Sequence, residues 1–219
     1  MIEIKGLHKS YGDLLVLVDV NLNIYKGEIV NIFGNNGVGK TTILKCLLGL
    51  TNINKGQILL TGIDKSDIGI VFSRDFLIPK LKVREYLVFI YRLKKNVDKY
   101  PKDKETYLLN LLGLESEKEK FIYSLSKGNQ QKLMLLSALI TSPKLLILDE
   151  PFDGMDRDSI TNSKKLFKEF VKNNGAVLMI THRVEAIRNL EANVVFLENR
   201  SLSEKIKWSQ EIEKQYFDE

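Results

Sequence analysis

"EIVNIFGNNGVGKTTILKCLLGL", residues 28 to 50, decides the fold. It opens on a short β-rich run, EIVNIF, breaks into glycines, and resumes as the helical TILKCLLGL. Within it GNNGVGKT, Gly34 to Thr41, matches the phosphate-binding loop pattern of two glycines, a lysine and a hydroxyl. Each residue type has a physical task. Gly34, Gly37 and Gly39 let the backbone fold tightly around Asn35, Asn36 and Val38, so that amides point inward at phosphate oxygens. The following helix adds its positive N-terminal end. Lys40 neutralises phosphate charge, and the Thr41 hydroxyl, with Thr42 beside it, is suited to ligate Mg²⁺. A plain glycine turn before a helix is the alternative; the strand ahead and the helix behind weigh against it.

Outward from the loop, the pattern changes twice. Upstream, MIEIKGL and LLVLVDVNLNIYKGE alternate apolar and polar positions, the second across Leu15, Leu17, Val20, Leu22 and Ile24 with one slip, and predict strands. GQILLTG, between Gly56 and Gly62, returns to strand character. From about residue 76 to 140 the pattern turns helical: VREYLVFIYRL, then KETYLLNLLGL closing at Gly113, then a helix from Ser126. From residue 144 it reads strand, helix, strand through KLLILDEP, SITNSKKLFKEFVKNNG and AVLMITH. Those unalternating apolar strands suit a parallel sheet covered on both faces, and NVVFLENRSL reads as a late hairpin. No internal repeat or low-complexity linker interrupts the chain.

Composition narrows the function classes. With 219 residues, 44% hydrophobic and 28% charged, the chain fits one domain with an inserted subdomain. The net charge of +5 is spread among 33 basic and 28 acidic residues, which reads as a solvated surface and not a nucleic-acid patch. The single cysteine, Cys46, sits in an apolar helical run as a buried thiol. The N-terminus lacks a signal-peptide pattern, and no apolar run approaches the ~18 residues of a membrane span. The chain reads as cytosolic.

Three further stretches carry chemistry. LLILDEP brings Asp149 and Glu150 to the C-terminal edge of a buried strand, where ligands bind in such sheets. Asp149 would hold Mg²⁺ through water, and Glu150 is the natural general base for a water attacking the γ-phosphate. His182 follows the next strand, AVLMIT; alone it would be polar surface, but beside the loop strand its imidazole could reach the γ-phosphate or the attacking water. SLSKGNQQKLMLLSALI, residues 124 to 140, begins an apolar helix with Ser126, Lys127, Gly128 and Asn129. N-capping accounts for Ser126 but not for Gly128, which weakens a helix by about 1 kcal/mol unless something approaches its backbone closely. A hydroxyl, a glycine and a helix N-terminus make an anion site. Since the chain already has a phosphate loop, this second half-site would complete another protomer's ATP.

In this order the motifs resemble those of the nucleotide-binding subunit of ABC transporters, over nearly the whole chain. GNNGVGKTT matches the family's Walker A, LSKGNQQ its LSGGQ signature, LLILDE its Walker B, FDGMD (Phe152 to Asp156) its D-loop, and His182 its switch histidine. Tyr11, in KSYGD, stands where the family places an aromatic that stacks on adenine; otherwise it is surface. The resemblance implies an α/β fold: a phosphate-loop NTPase core with a mainly parallel sheet and an antiparallel β-subdomain (residues 1–73 and 141–219), and an inserted helical subdomain (74–140). It also implies ATP and Mg²⁺ as ligands, and two cassettes paired head to tail, with Asp156 at the interface. Lys127 and Asn129 depart from the signature but keep polar contacts. The larger departure is Ser73, where the family has a glutamine that touches Mg²⁺ and signals to the membrane subunit; a bridging water could span the difference.

The leading expectation is an ATPase subunit of a membrane transporter, on the inner face of the membrane, pairing with itself or a related subunit and with a transmembrane permease. Export is favoured over import. The alternative is a soluble ABC-type ATPase in DNA repair or translation. A phosphate-loop kinase or GTPase is disfavoured by the signature and by the lack of an N-K-x-D element.

Overall fold

The computed structural model describes residues 1–72, 76–95 and 99–217. The alternating N-terminal segments form β1 (Ile2–Tyr11) and β2 (Leu14–Ile24), paired antiparallel, with Ile4, Leu7, Leu17, Val20 and Leu22 turned inward. The slip in alternation falls at Asp19, whose φ of 48° marks an irregularity between the Leu17 and Val20 pairings. β3 (Ile29–Phe33) is buried along its whole length and feeds the glycine loop and α1 (Lys40–Leu47). β4 (Lys55–Leu60) returns to β1, giving an antiparallel sheet in the order β2-β1-β4.

After β5 (Ile68–Val71) come the helices α2 (Val83–Lys95), α3 (Lys102–Leu111) and α4 (Lys127–Ile140). Gly113, at φ 67°, ends α3, and the Leu114 amide turns back to the Leu109 carbonyl at 2.8 Å. The chain then runs β6 (Leu145–Asp149), α5 (Arg157–Lys172), β7 (Ala176–Ile180) and the single turn α6 (Val184–Ile187). β8 (Asn193–Glu198) doubles back through β9 (Ser201–Leu202), as the hairpin pattern predicts. β10 (Ile206–Lys207) and α7 (Gln210–Phe217) follow, neither of them anticipated from sequence.

The second sheet has the order β10-β8-β3-β7-β6-β5, parallel from β8 through β5. Both faces are covered, which is why its strands do not alternate. Ile32, Leu145, Ile147 and Leu178 face a core shared with α1 and the antiparallel sheet. Phe33, Leu146, Leu148, Val177 and Met179 face another core built with α2 to α5. β7 lies between β3 and β6. The residues that follow these three strands, Gly34 onward, Glu150 and Thr181 onward, therefore emerge side by side on one edge of the sheet.

Candidate functional site

A cleft of about 500 Å³ opens at that edge, lined by Tyr11, Val16, Asn36, Gly37, Gly39, Lys40, Thr41, Thr42, Phe72, Asp149 and Glu150. Gly37 and Gly39 hold φ of 80° and 117°, which L side chains adopt at a cost. Lys40 is buried and its Nζ donates to the carbonyls of Gly34 (2.5 Å) and Asn35 (2.8 Å). Burial lowers its pKa, and the Glu150 and Asp149 carboxylates oppose that shift. Gly34, Asn35 and Val38 line a neighbouring cleft that also contains His182 and the aromatic end of α7, Tyr216 and Phe217.

Asp149 ends β6, and Thr41 Oγ1 donates to its Oδ2 at 3.4 Å. Burial, with the Glu150 charge adding to it, pushes the Asp149 pKa up to about 6. A carboxylate beside a hydroxyl at the cleft is an oxygen donor pair suited to a small divalent cation bridged to phosphate. Adjacent strand residues point to opposite faces, and sequence reasoning leaves it to a relaxed pleat to bring both acids to one site. The structure does it with a left-handed residue: Glu150, at φ 43°, turns out of the strand while its amide donates to the Ile180 carbonyl at 2.8 Å. Both acids line the cleft.

The Glu150 carboxylate meets the segment after β7. Oε1 accepts from the His182 amide (3.0 Å) and lies 2.6 Å from His182 Nδ1; Oε2 accepts from Thr181 Oγ1 at 2.8 Å. His182 thus reaches the cleft through Glu150. Tyr11, half exposed at the end of β1, stands at the rim with Lys9 Nζ 4.5 Å from its ring centre.

At the α4 entrance, none of Ser126, Lys127, Gly128 and Asn129 is among the described residues lining the cleft. Ser126 is the N-cap, its Oγ accepting the Asn129 amide at 3.1 Å. The structure also explains Gly128. A Cβ there would fall 2.2 Å from the Gly154 carbonyl oxygen, so the glycine admits a close backbone crossing within the chain. Asp156 caps α5 through the Ser159 amide (2.8 Å) and pairs with Lys132 Nζ at 2.5 Å. Those partners hold its carboxyl well below the usual carboxylate range. Ser73 lies outside the described residues. Sequence reasoning missed Thr181 and the role of Gln131, whose Nε2 donates to the carbonyls of Glu150 and Pro151, both at 3.2 Å.

A parallel sheet whose glycine loop, lysine and two acids meet at one edge is the architecture of a phosphate-loop nucleoside triphosphatase. The family model described as "ABC transporter" matches residues 17–153. An uncharacterised ABC transporter ATP-binding protein of Bacillus subtilis, YhaQ, is 36% identical over 211 residues, covering 90% of this chain and 68% of the relative. The methionine import ATP-binding protein MetN of Clostridium tetani is 30% identical over 216 residues, covering 93% and 68%. Among solved structures, a post-hydrolysis dimer of the ATP-binding cassette MJ0796 bound to ADP and Pi superposes with a TM-score of 0.82. It shares 25% identity, over 94% of this chain and 98% of that one. The chain belongs to the ABC transporter family, as an ATP-binding subunit that hydrolyses ATP.

Proposed function

We propose that this chain powers a membrane transporter by binding ATP with Mg²⁺ in the cleft and pairing head to tail with a second cassette. One observation carries the reading: Lys40, Thr41, Asp149 and Glu150 converge on a single cleft at the strand ends. In this proposal the amides of the loop, Gly34 to Thr42, and Lys40 hold the phosphates, and Tyr11 stacks on adenine. Thr41 and Asp149 hold Mg²⁺, which supplies charge neutralisation at the phosphates. Ser73 is assigned a metal contact on sequence grounds alone. Glu150 takes the proton of the attacking water, and His182 orients Glu150 and the γ-phosphate.

Ser126 to Asn129 are not among the described residues lining the chain's own cleft, which supports giving them to the partner cassette's nucleotide, with Asp156 near the seam. Residues 1–73 and 141–219 would form the core with its β-subdomain, and 74–140 the helical subdomain. ATP favours the paired state and so shifts its population.

A membrane partner is supported by an apolar groove of about 500 Å³ lined by Leu50, Ile58, Leu60, Ile70, Phe72 and Phe76, with Leu50 and Phe76 exposed. No helix among the described residues is long and apolar enough to cross a membrane, so the proposed place is peripheral, against a permease. The sequence reading favours export, whereas MetN is named for import. Direction belongs to the permease, and the test names it.

The test is recovery of the tagged chain from detergent-solubilised native membranes, with mass identification of what accompanies it. A stoichiometric multispan protein establishes the transporter and, through its own kind, the direction. Recovery from the soluble fraction alone, with ribosomes or repair proteins, establishes the soluble ATPase instead. In parallel, Glu150→Gln is expected to keep ATP binding, abolish all but a slow residual turnover and accumulate the paired form; unchanged turnover removes Glu150 from the role of base.

A further inference from the structure

Thr181 is 1% exposed and lies between the end of β7 and His182. Its oxygen accepts the Arg183 amide at 3.1 Å, and it is bonded to Glu150 Oε2 at 2.8 Å. A hydroxyl has one proton, and an amide N–H can only donate. The Thr181 proton is therefore committed to the carboxylate, and the direction of that bond is fixed.

Glu150 needs such a hold. The terminal torsion of a glutamate is broad, so a carboxylate held through one oxygen swings about that contact. His182 engages only Oε1, by its amide and by Nδ1. Thr181 engages the other oxygen, and hydrogen bonds to an ionised acceptor are roughly twice as strong as neutral ones. The backbone of Glu150 is fixed as well. Its amide bonds Ile180, its carbonyl accepts from Gln131, and its φ of 43° is one that a non-glycine residue keeps only when its surroundings over-determine it. The β-branch of threonine restricts χ1 and so aims the hydroxyl in advance.

We propose that Thr181 is a positioning residue for ATP hydrolysis, its buried hydroxyl locking the rotation of the Glu150 carboxylate so that an acceptor oxygen faces the water in the cleft. The inference rests on the reading of Glu150 as the general base. Thr181 is not among the described residues lining the cleft; it acts through Glu150, whose Oε2 it bonds. The bond to Arg183 offers the competing role, a turn that merely shapes the backbone.

The experiment compares steady-state ATPase kinetics of Thr181→Val, Thr181→Ser, Glu150→Gln and the Thr181→Val/Glu150→Gln double variant. Thr181→Val keeps the shape and removes the hydroxyl. It is expected to lower kcat about tenfold, part of the ~10²–10⁴ that a positioned base supplies, with KM for ATP and melting temperature close to wild type. Thr181→Ser is expected to restore most of kcat. In the Glu150→Gln background, Thr181→Val is expected to change the residual turnover little, because the carboxylate it aims is gone. An unchanged or raised kcat in Thr181→Val overturns the proposal, as do failure of serine to rescue and equal losses in both backgrounds. If Thr181→Val does not fold, Thr181→Ala against Thr181→Ser reads the same contrast. Full turnover in Glu150→Gln overturns the base reading itself. A Glu150→Gln reduced to residual turnover with a normal Thr181→Val overturns only the role of Thr181.

Discussion

Asn31 occupies the centre of β3, between β7 and β8, and is fully buried. Neither Oδ1 nor Nδ2 meets a hydrogen-bond partner among the described residues. Period-two geometry puts its side chain on the face of Ile29 and Phe33, in the helix-covered core. A buried polar group without a partner costs about 1–3 kcal/mol. Valine is closer to a strand's preference and satisfies that face without polar atoms. Asn31→Val is therefore expected to raise the melting temperature, at roughly 2–4 °C per kcal/mol for a chain of this size. Calorimetric unfolding checks it, with ATPase activity retained. A lower melting temperature would mean that the amide is satisfied in solution by water, and the strand would then owe its position to that polar site.

At the scale of elements, the entrance of α4 is fastened to the segment after β6. Gly128 passes under the Gly154 carbonyl, Gln131 donates to the carbonyls of Glu150 and Pro151, and Lys132 pairs with Asp156. Two effects oppose each other in Gly128→Ala. Helix propensity gains about 1 kcal/mol. A Cβ 2.2 Å from a backbone oxygen forces a shift that no side-chain rotation relieves, and overpacking of this kind costs about 1–3 kcal/mol. The clash is expected to win, so Gly128→Ala lowers the melting temperature, measured by thermal unfolding; a rise would show that the crossing relaxes freely. The start of α4 and its Ser126 cap were legible because capping and apolar periodicity are local signals. The reason for Gly128 was not, since its partner lies far along the chain and only the β6–α5 turn brings it back. α7 was missed for a related reason. It is short, and it is held by ring stacking of Tyr216 on Phe196 (4.0 Å between centres) and by the contact of Phe217 with Phe33, neither of which leaves a local pattern.

At the scale of the molecule, the parts of the site that sit in one stretch were readable: the loop from Gly34 to Thr42, and the Asp149–Glu150 pair at a strand end. The hold of Thr181 on Glu150 required the strand order, because only the adjacency of β6 and β7 makes these residues neighbours. Pairing of two cassettes is a step further from sequence, and the α4 entrance is where it can be tested. Ser126 is not among the described residues lining the chain's own cleft, and it caps α4 through its bond from the Asn129 amide. Losing that cap costs about 1 kcal/mol, small against the ~5–15 kcal/mol that keeps a protein folded. Ser126→Arg is therefore expected to fold and to bind ATP as a monomer with unchanged affinity. In the Glu150→Gln background, where pairing is expected to accumulate, the added bulk and the lost hydroxyl are expected to abolish the ATP-dependent dimer, measured by sedimentation velocity with and without ATP. Ser126→Gly, which costs a cap only a few tenths of a kcal/mol, separates capping from contact with the partner. If glycine preserves the dimer and arginine destroys it, steric access to the entrance is what pairing needs. If glycine also weakens the dimer at normal stability, the hydroxyl itself makes the contact. Normal dimers in both would leave the entrance a helix cap and nothing more.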